Sequence, residues 1–239
     1  MKNQYFGDEN DYRKYGLLRV LTDRSSLGTG ICWMLTESDG RNDGGRISYL
    51  NFENRIMWRR HDHDLYDALV RIVQVDRCRD VTRADSPSIL KGMIFHLPTI
   101  SDNRNERRRY FSTAMHQFIG LDLIFFDPDN GIEVRSTPLG RMGSSKYVYW
   151  NELKEAFNAG HSLLIYQHFP RVKRFQFIEQ RTRELIEHLG SDEIHAYKTT
   201  HVVFFLVPQD RHFEYFRMRL SDVNVKWEGQ IQGNIYQGE

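Results

Sequence analysis

The sequence predicts an α/β fold: a three-layer, Rossmann-like, mostly parallel sheet with helices on both faces and an antiparallel strand toward the C-terminus. Three observations carry that expectation. Short apolar runs bounded by Gly, Pro or polar clusters recur along the chain, as buried strands do. Amphipathic stretches with apolar positions three and four apart lie between them. The two kinds alternate through the second half, and strand–helix–strand units build parallel sheets covered on both sides.

The elements follow in order. Residues 11–21 place Tyr12, Tyr15, Leu18 and Leu21 on one helical face. Residues 30–35 (GICWML) read as a buried strand, and the polar stretch 37–46 (ESDGRNDGGR) as a loop. A second helix covers 64–75, a short strand 93–97 and a further helix 107–119. The clearest strand is 121–126 (LDLIFF), which stops at Asp127-Pro128 because proline lacks the donor a central strand needs. Helix 150–158, strand 161–166 and the long amphipathic helix 173–189 follow, the last stopped by Gly190. Strands 193–197 and 201–207 are joined tightly enough to pair antiparallel. A last helix covers 211–220, and from Val225 the tail is polar, with no assignable element.

Composition bounds the function. The chain has 239 residues, 40% hydrophobic and 27% charged, which suits one folded domain over 1–239 and excludes general disorder. A formal net charge of +1 gives no overall basic surface. Arg59-Arg60 and Arg107-Arg108-Arg109 read as solvated helix faces, whereas Arg171, Lys173 and Arg174 follow a candidate site strand. Cys32 reads as a small buried hydrophobe, and without a C-x-x-C pair neither a zinc knuckle nor a redox dithiol is encoded. No apolar run approaches the roughly 20 residues that span a bilayer. The first fifteen residues lack a signal-peptide core. The expectation is a cytoplasmic protein with no membrane partner; the oligomeric state is left open.

Right-handed crossovers place the ends of strands 121–126 and 161–166 at the same carboxyl edge, where open α/β sheets bind ligands. Asp127-Pro128-Asp129-Asn130-Gly131-Ile132-Glu133 brings three carboxylates and a carboxamide to that edge. Close like charges raise at least one carboxyl pKa, which suits general acid/base work or a magnesium site; a turn built by Asx hydrogen bonds is the structural alternative. Gln167-His168-Phe169-Pro170-Arg171 is the second candidate, with His168 able to stabilise a leaving group and Arg171 able to hold a phosphate. Tyr5, Phe6, Asp8, Asp11 and Lys14 form an aromatic and charged opening that either meets bases and phosphate or docks onto the core. Thr36, Ser38, Asp39 and Arg41 follow the first strand, in a loop without a G-x-G-x-x-G pattern. Tyr149 belongs to an aromatic cluster, 144–150, that either lines a base pocket or joins the core.

These segments resemble the Rossmann-type methyltransferases that make N6-methyladenine in 23S ribosomal RNA, the J-type enzymes. Phe6-Gly7-Asp8, Asn10-Asp11 and Lys14-Tyr15 stand in the order of that family's aromatic/Gly/Asn opening, Ala-Asp and Lys-His. Thr36-Glu37-Ser38-Asp39-Gly40-Arg41 stands at its Thr-His-Ala-Gly-Ala-Gly-Arg. Asp127-Pro128-Asp129-Asn130-Gly131 stands at its Asp-Pro-Pro-Tyr-Glu, and Tyr166-Gln167-His168-Phe169-Pro170 at its Trp-Tyr-Pro. The resemblance implies the methyltransferase-like form of the fold. It transfers the activity less well, because Asn130 replaces the aromatic that stacks the flipped base and the cofactor loop has lost a glycine. Locally, Asp127-Pro128 and His168-Phe169-Pro170 are similar to the uracil-DNA glycosylase pattern, which implies an aspartate that orients water and a histidine that stabilises the departing base.

The expected function is a nucleic-acid enzyme acting on an extruded base, a hydrolytic N-glycosylase serving repair or antiviral defence. DNA is favoured over RNA, and no cofactor or metal is required. Asp127, Asp129, Asn130 and His168 are the expected catalytic set; the substrate-binding set is Tyr5, Phe6, Asp8, Asp11, Lys14, Thr36, Ser38, Asp39, Arg41, Glu133, Tyr149, Gln167 and Arg171. The alternatives are an S-adenosylmethionine-dependent methyltransferase with its cofactor at 36–41, and a metal-dependent nuclease using Asp127, Asp129 and Glu133.

Overall fold

The computed structural model describes residues 1–23, 26–37 and 45–238. Helix α1 (Glu9–Thr22) precedes β1 (Thr29–Cys32). Two 3-10 turns, Ser48–Leu50 and Phe52–Asn54, lead into α2 (Arg55–Arg59) and α3 (His63–Leu69), and α3 runs on as a π-helical turn, Val70–Val75. Then come β2 (Ile94–His96), α4 (Arg104–Gln117), β3 (Leu123–Phe126) and a two-strand strip of β4 (Gly131–Ile132) and β5 (Tyr147–Val148). The rest is α5 (Trp150–Asn158), β6 (Ser162–His168), α6 (Arg174–Leu189), β7 (Glu193–Lys198), β8 (Val202–Val207), α7 (Phe213–Lys226) and β9 (Gln232–Gln237).

The main sheet has seven strands in the order β2-β1-β3-β6-β8-β7-β9. β1 runs parallel to β2 and β3, and β3 parallel to β6. β8 lies antiparallel to both β6 and β7, and β9 antiparallel to β7. Five strands therefore point one way and two the other, the mostly parallel Rossmann-like sheet that the alternation predicted. The chain passes from β1 outward to β2, then returns across β1 to β3. The strand order reverses there, so the carboxyl ends of β1 and β3 flank a topological switch point, where doubly wound sheets open a crevice.

Strand side chains alternate between faces, so each strand feeds two cores. Leu123 and Phe125 join Leu164, Phe204 and Leu206 under α1, α3 and α7. Ile124 and Phe126 join Leu163, Ile165 and Phe205 under α4, α5 and α6. Burying both faces explains why the strands read as unbroken apolar runs.

Several boundaries differ from expectation, each for a physical reason. Strand 30–35 ends early, because buried Met34 adopts a left-handed backbone (φ 47°) and turns the chain at the switch point; Leu35 keeps only a bridge to Thr99. Strand 161–166 runs two residues further, since Gln167 and His168 pair with Val203 and Val202. The last helix reaches Lys226, and the polar tail forms β9, an edge strand whose exposed face needs no apolar alternation. Arg107 is not on a solvated face. It is buried, donates to Glu152 at 2.6 and 2.9 Å and to the carbonyls of Ser144 and Tyr147, and lies over the Phe111 and Tyr149 rings. Cys32 is fully buried in the core, as expected. No helix among the described residues is long and apolar enough to cross a membrane.

Candidate functional site

The site begins at the N-terminus of α1. Asp8 caps the helix, accepting from the backbone N–H of Asn10 and Asp11 at 2.8 and 2.9 Å. One turn on, Asp11 accepts from the Tyr15 hydroxyl at 2.8 Å and the Gly7 N–H at 3.0 Å through one oxygen, and from Lys14 Nζ at 2.8 Å through the other. Lys14 Nζ also donates to Asp127 Oδ2 at 2.7 Å. The buried ammonium is thus clamped between a helix carboxylate and a strand-end carboxylate, 5.6 Å from the Trp33 ring centre and 5.4 Å from that of Tyr166.

Burial pushes the Asp127 carboxyl up, and the Lys14 charge only partly opposes it. Burial alone would lower Lys14, but Asp11 and Asp127 outweigh it and hold the amine above its ordinary value. Asp8 is pushed up to about 7, first by burial and then by the nearby Asp11 charge. Asp129 is also buried, but its ion pair with the α-amino group of Met1 at 2.7 Å and a hydrogen bond from Thr36 Oγ1 at 2.8 Å hold it below the usual carboxylate range.

A cavity of about 440 Å³ opens on this cluster, within the size range of small-ligand sites. Asp8, Asp11, Lys14, Asp127, Asp129, Asn130, His168 and Tyr5 all line it. The two segments singled out by sequence, one on β3 and one on β6, therefore meet the N-terminal segment at one mouth. Lys2, Arg46, Lys146 and Tyr166 line it as well, and sequence reasoning passed over them. Tyr166 had a usable signal: two residues before His168 on a strand, it must share that residue's face. Arg46 and Lys146 had none, since each is a single cation outside any periodic run of the sequence.

The same alternation removes Gln167. Its side chain points to the opposite face, where Oε1 accepts from the Ile132 N–H at 2.9 Å and Nε2 donates to the carbonyls of Asn130 and His168 at 3.0 and 2.9 Å. It pins the turn after Asp127 to β6 rather than meeting a ligand. Glu133 accepts from the Trp150 N–H at 3.0 Å and so caps α5. Asp127, Asp129 and Glu133 therefore do not converge, and among the described residues no group of three or more His, Cys, Asp or Glu is placed to hold a metal ion. Tyr149 precedes α5, donates to the Thr137 carbonyl at 2.8 Å and stacks under Arg107, away from the cavity. Phe6 is fully buried against Tyr15 and belongs to the core. Arg171 is exposed and does not line the cavity, and Thr36 meets the lining residues Asp129, through its hydroxyl, and Met1, through its backbone N–H, without lining the cavity itself. Ser38, Asp39 and Arg41 lie outside the described residues.

His168 is exposed, with Nδ1 3.3 Å from the Phe169 carbonyl oxygen.

No protein-family model matches the sequence, and no curated protein matches it. Among solved structures, one similar chain is a Legionella pneumophila protein of the family described as DUF519. It is 12% identical, the match covers 98% of each chain, and the TM-score is 0.46. The fold assignment rests on this chain's own strand order and directions.

Proposed function

We propose that the protein is a hydrolytic N-glycosylase that receives an extruded base of a nucleic acid in the cavity at the switch point. The observation that carries this reading is that Asp127 and His168, from different strands, line one cavity of nucleoside-compatible size. Three features support it further. Asp11, Lys14 and Asp127 combine two carboxylates with one ammonium, leaving net negative charge where an oxocarbenium-like sugar would develop positive charge. Asp127 Oδ1 accepts no hydrogen bond from a described residue, so it is available to orient water. Tyr5 and Tyr166 give the cavity aromatic walls, while Lys2, Arg46 and Lys146 supply charge for flanking phosphate.

In the proposed reaction the bond from C1′ to the base nitrogen breaks, and its electron pair leaves with the base. Water, ordered by Asp127 and the Asn130 carboxamide, bonds to C1′ and passes its proton to the Asp127 carboxylate. His168 donates a ring N–H to the departing base. Asp129, already committed to Thr36 and the α-amino group, positions the strand end instead of reacting. Lys14 is held as an ammonium, so it cannot serve as an amine nucleophile, and the chemistry is hydrolysis without strand cleavage. DNA is the preferred polymer, because a deoxyribosyl cation lacks the electron-withdrawing 2′-hydroxyl. The base must leave the stack to be reached. The reading requires no cofactor. Treating natural and base-modified DNA with the protein and then with alkali tests it: abasic breaks are expected, and their absence on every substrate would refute it.

A second reading is an S-adenosylmethionine-dependent methyltransferase, favoured by the position of the cavity beside the carboxyl end of β1 at the switch point. Calorimetric titration with the cofactor separates the two, since only the methyltransferase evolves heat.

A further inference from the structure

A second cavity, of about 620 Å³, opens further along the same sheet edge. His168, at the end of β6, pairs with Val202 at the start of β8, and Lys198, at the end of β7, pairs with Gln232 at the start of β9. These ends therefore share the edge that carries the first cavity. Lys198, Thr199, Gln232 and Asn234 line the second, with Arg174 from the first turn of α6. Pairing puts Lys198 and Gln232 on one face of the sheet, and alternation adds Asn234. It is the α6 face, because Ala196 and Ile194, on the same side of β7 as Lys198, pack in the core under α6.

What these side chains leave unbonded selects the ligand. Thr199 commits its hydroxyl to the Val202 carbonyl at 3.0 Å, closing the turn, and Asn224 exchanges two hydrogen bonds with the Gly233 backbone at 2.7 and 3.1 Å. Gln232 and Asn234, by contrast, keep both carboxamides without a hydrogen bond to a described residue, each offering a donor beside an acceptor. Arg174 lies over the Phe169 ring at 5.3 Å, and neither it nor Lys198 forms an ion pair among the described residues. Glu228 is the one acid among the described lining residues, so the mouth keeps net positive charge. Arg and Lys hold a phosphate, and a Gln or Asn carboxamide matches the N6 and N7 edge of adenine. No aromatic ring lines the cavity among the described residues, so a base there is read at its edge rather than stacked. The two cavities are also tied together. Arg46, in the first, pairs with Glu9 at 3.3 Å; the Glu9 carbonyl accepts from Arg13 at 3.3 Å; and Arg13 donates to Gln230 Oε1, in the second, at 2.9 and 3.1 Å.

We infer that the second cavity holds a neighbouring nucleotide of the strand whose extruded base enters the first, with Arg174 and Lys198 on its phosphate and Gln232 and Asn234 on an adenine edge, so that base release depends on sequence context. This rests on the base-extruding reading of the first cavity but is tested apart from it, by fluorescence anisotropy with short single-stranded DNA homopolymers of each base. The wild-type protein should bind the adenine homopolymer about tenfold more tightly than the others. Gln232→Ala/Asn234→Ala should level the four, whereas Arg174→Ala/Lys198→Ala should weaken all four about tenfold and flatten their salt dependence. None of these four residues is buried, so the variants' melting temperatures should match wild type. Adenine preference with no base released from any DNA would leave the second site standing and refute the glycosylase. A preference absent from the wild type, or unchanged in Gln232→Ala/Asn234→Ala, would overturn the second site. Deoxyadenosine monophosphate that binds as tightly as the homopolymer, and is lost in the same variant, would place a free nucleotide there instead of a strand and overturn it too.

Discussion

Lys14 Nζ sits 2.7 Å from Asp127 Oδ2, across 113 positions of sequence, and the same ammonium reaches Asp11 at 2.8 Å. The pair ties α1 to the end of β3 and sets the charge of the cavity floor. Burying an ion pair is costly, and the cost is repaid only when both partners remain.

Removing one partner is therefore severe. Lys14→Met takes the shared ammonium from two buried carboxylates and should lower unfolding free energy by about 3–5 kcal/mol in urea denaturation. Asp127→Asn leaves Lys14 its Asp11 partner and should cost less. A double-mutant cycle over the two positions should show clear coupling; additivity would contradict the direct pair.

Asp8 gives stability a pH dependence of opposite sign to that of a salt-bridged carboxylate. Its folded pKa, pushed up to about 7, exceeds the unfolded value of 3.8, so the native state binds the extra proton between those limits. Stability should fall as pH rises from about 4 to 7. Asp8→Asn keeps the helix cap while removing that slope, and should raise stability at pH 8 by on the order of 1 kcal/mol, with little effect at pH 4. Thermal melts across this range measure it.

The turn after Asp127 depends on a close approach. Gly131 has φ 121°, and an added Cβ would fall 2.4 Å from the Gln167 carboxamide. Gly131→Ala should destabilise by about 1–3 kcal/mol through strain. Gln167→Ala should cost a similar amount by leaving the buried Ile132 N–H without its acceptor. If Gln167 instead bound substrate, its loss would raise KM with no change in melting temperature.

How much of this was legible follows from period and distance. Strand-end placement of Asp127 and His168 came from apolar runs stopped by proline and polar residues, and topology rules then put both at one edge. The opening segment declared its chemistry without its location, because nothing local says that Lys14 bridges to a strand end over a hundred residues away. Gln167 and Glu133 lie away from the cavity for a shared reason: nearness in sequence to a site residue does not fix the face, and alternation sends Gln167 the other way. Arg107 looked solvated since its partner Glu152 lies on α5, outside any local pattern. β9 escaped because an edge strand lined by Asn, Gln and Gly carries no hydrophobic period.

His168 lines the cavity beside the strand-end carboxylates, so its loss should act on base release more than on binding. His168→Gln should lower kcat about 100-fold, leaving KM nearly unchanged. Equal kcat in the two proteins would remove His168 from the leaving-group role.

The central claim is tested most directly by mass spectrometry of free bases released from natural and modified duplex DNA, with wild-type protein beside Asp127→Asn. The account predicts a stoichiometric match of free base to abasic site with wild type, and at least a roughly 100-fold loss in the variant. No released base from any substrate, or equal release by both proteins, would contradict it.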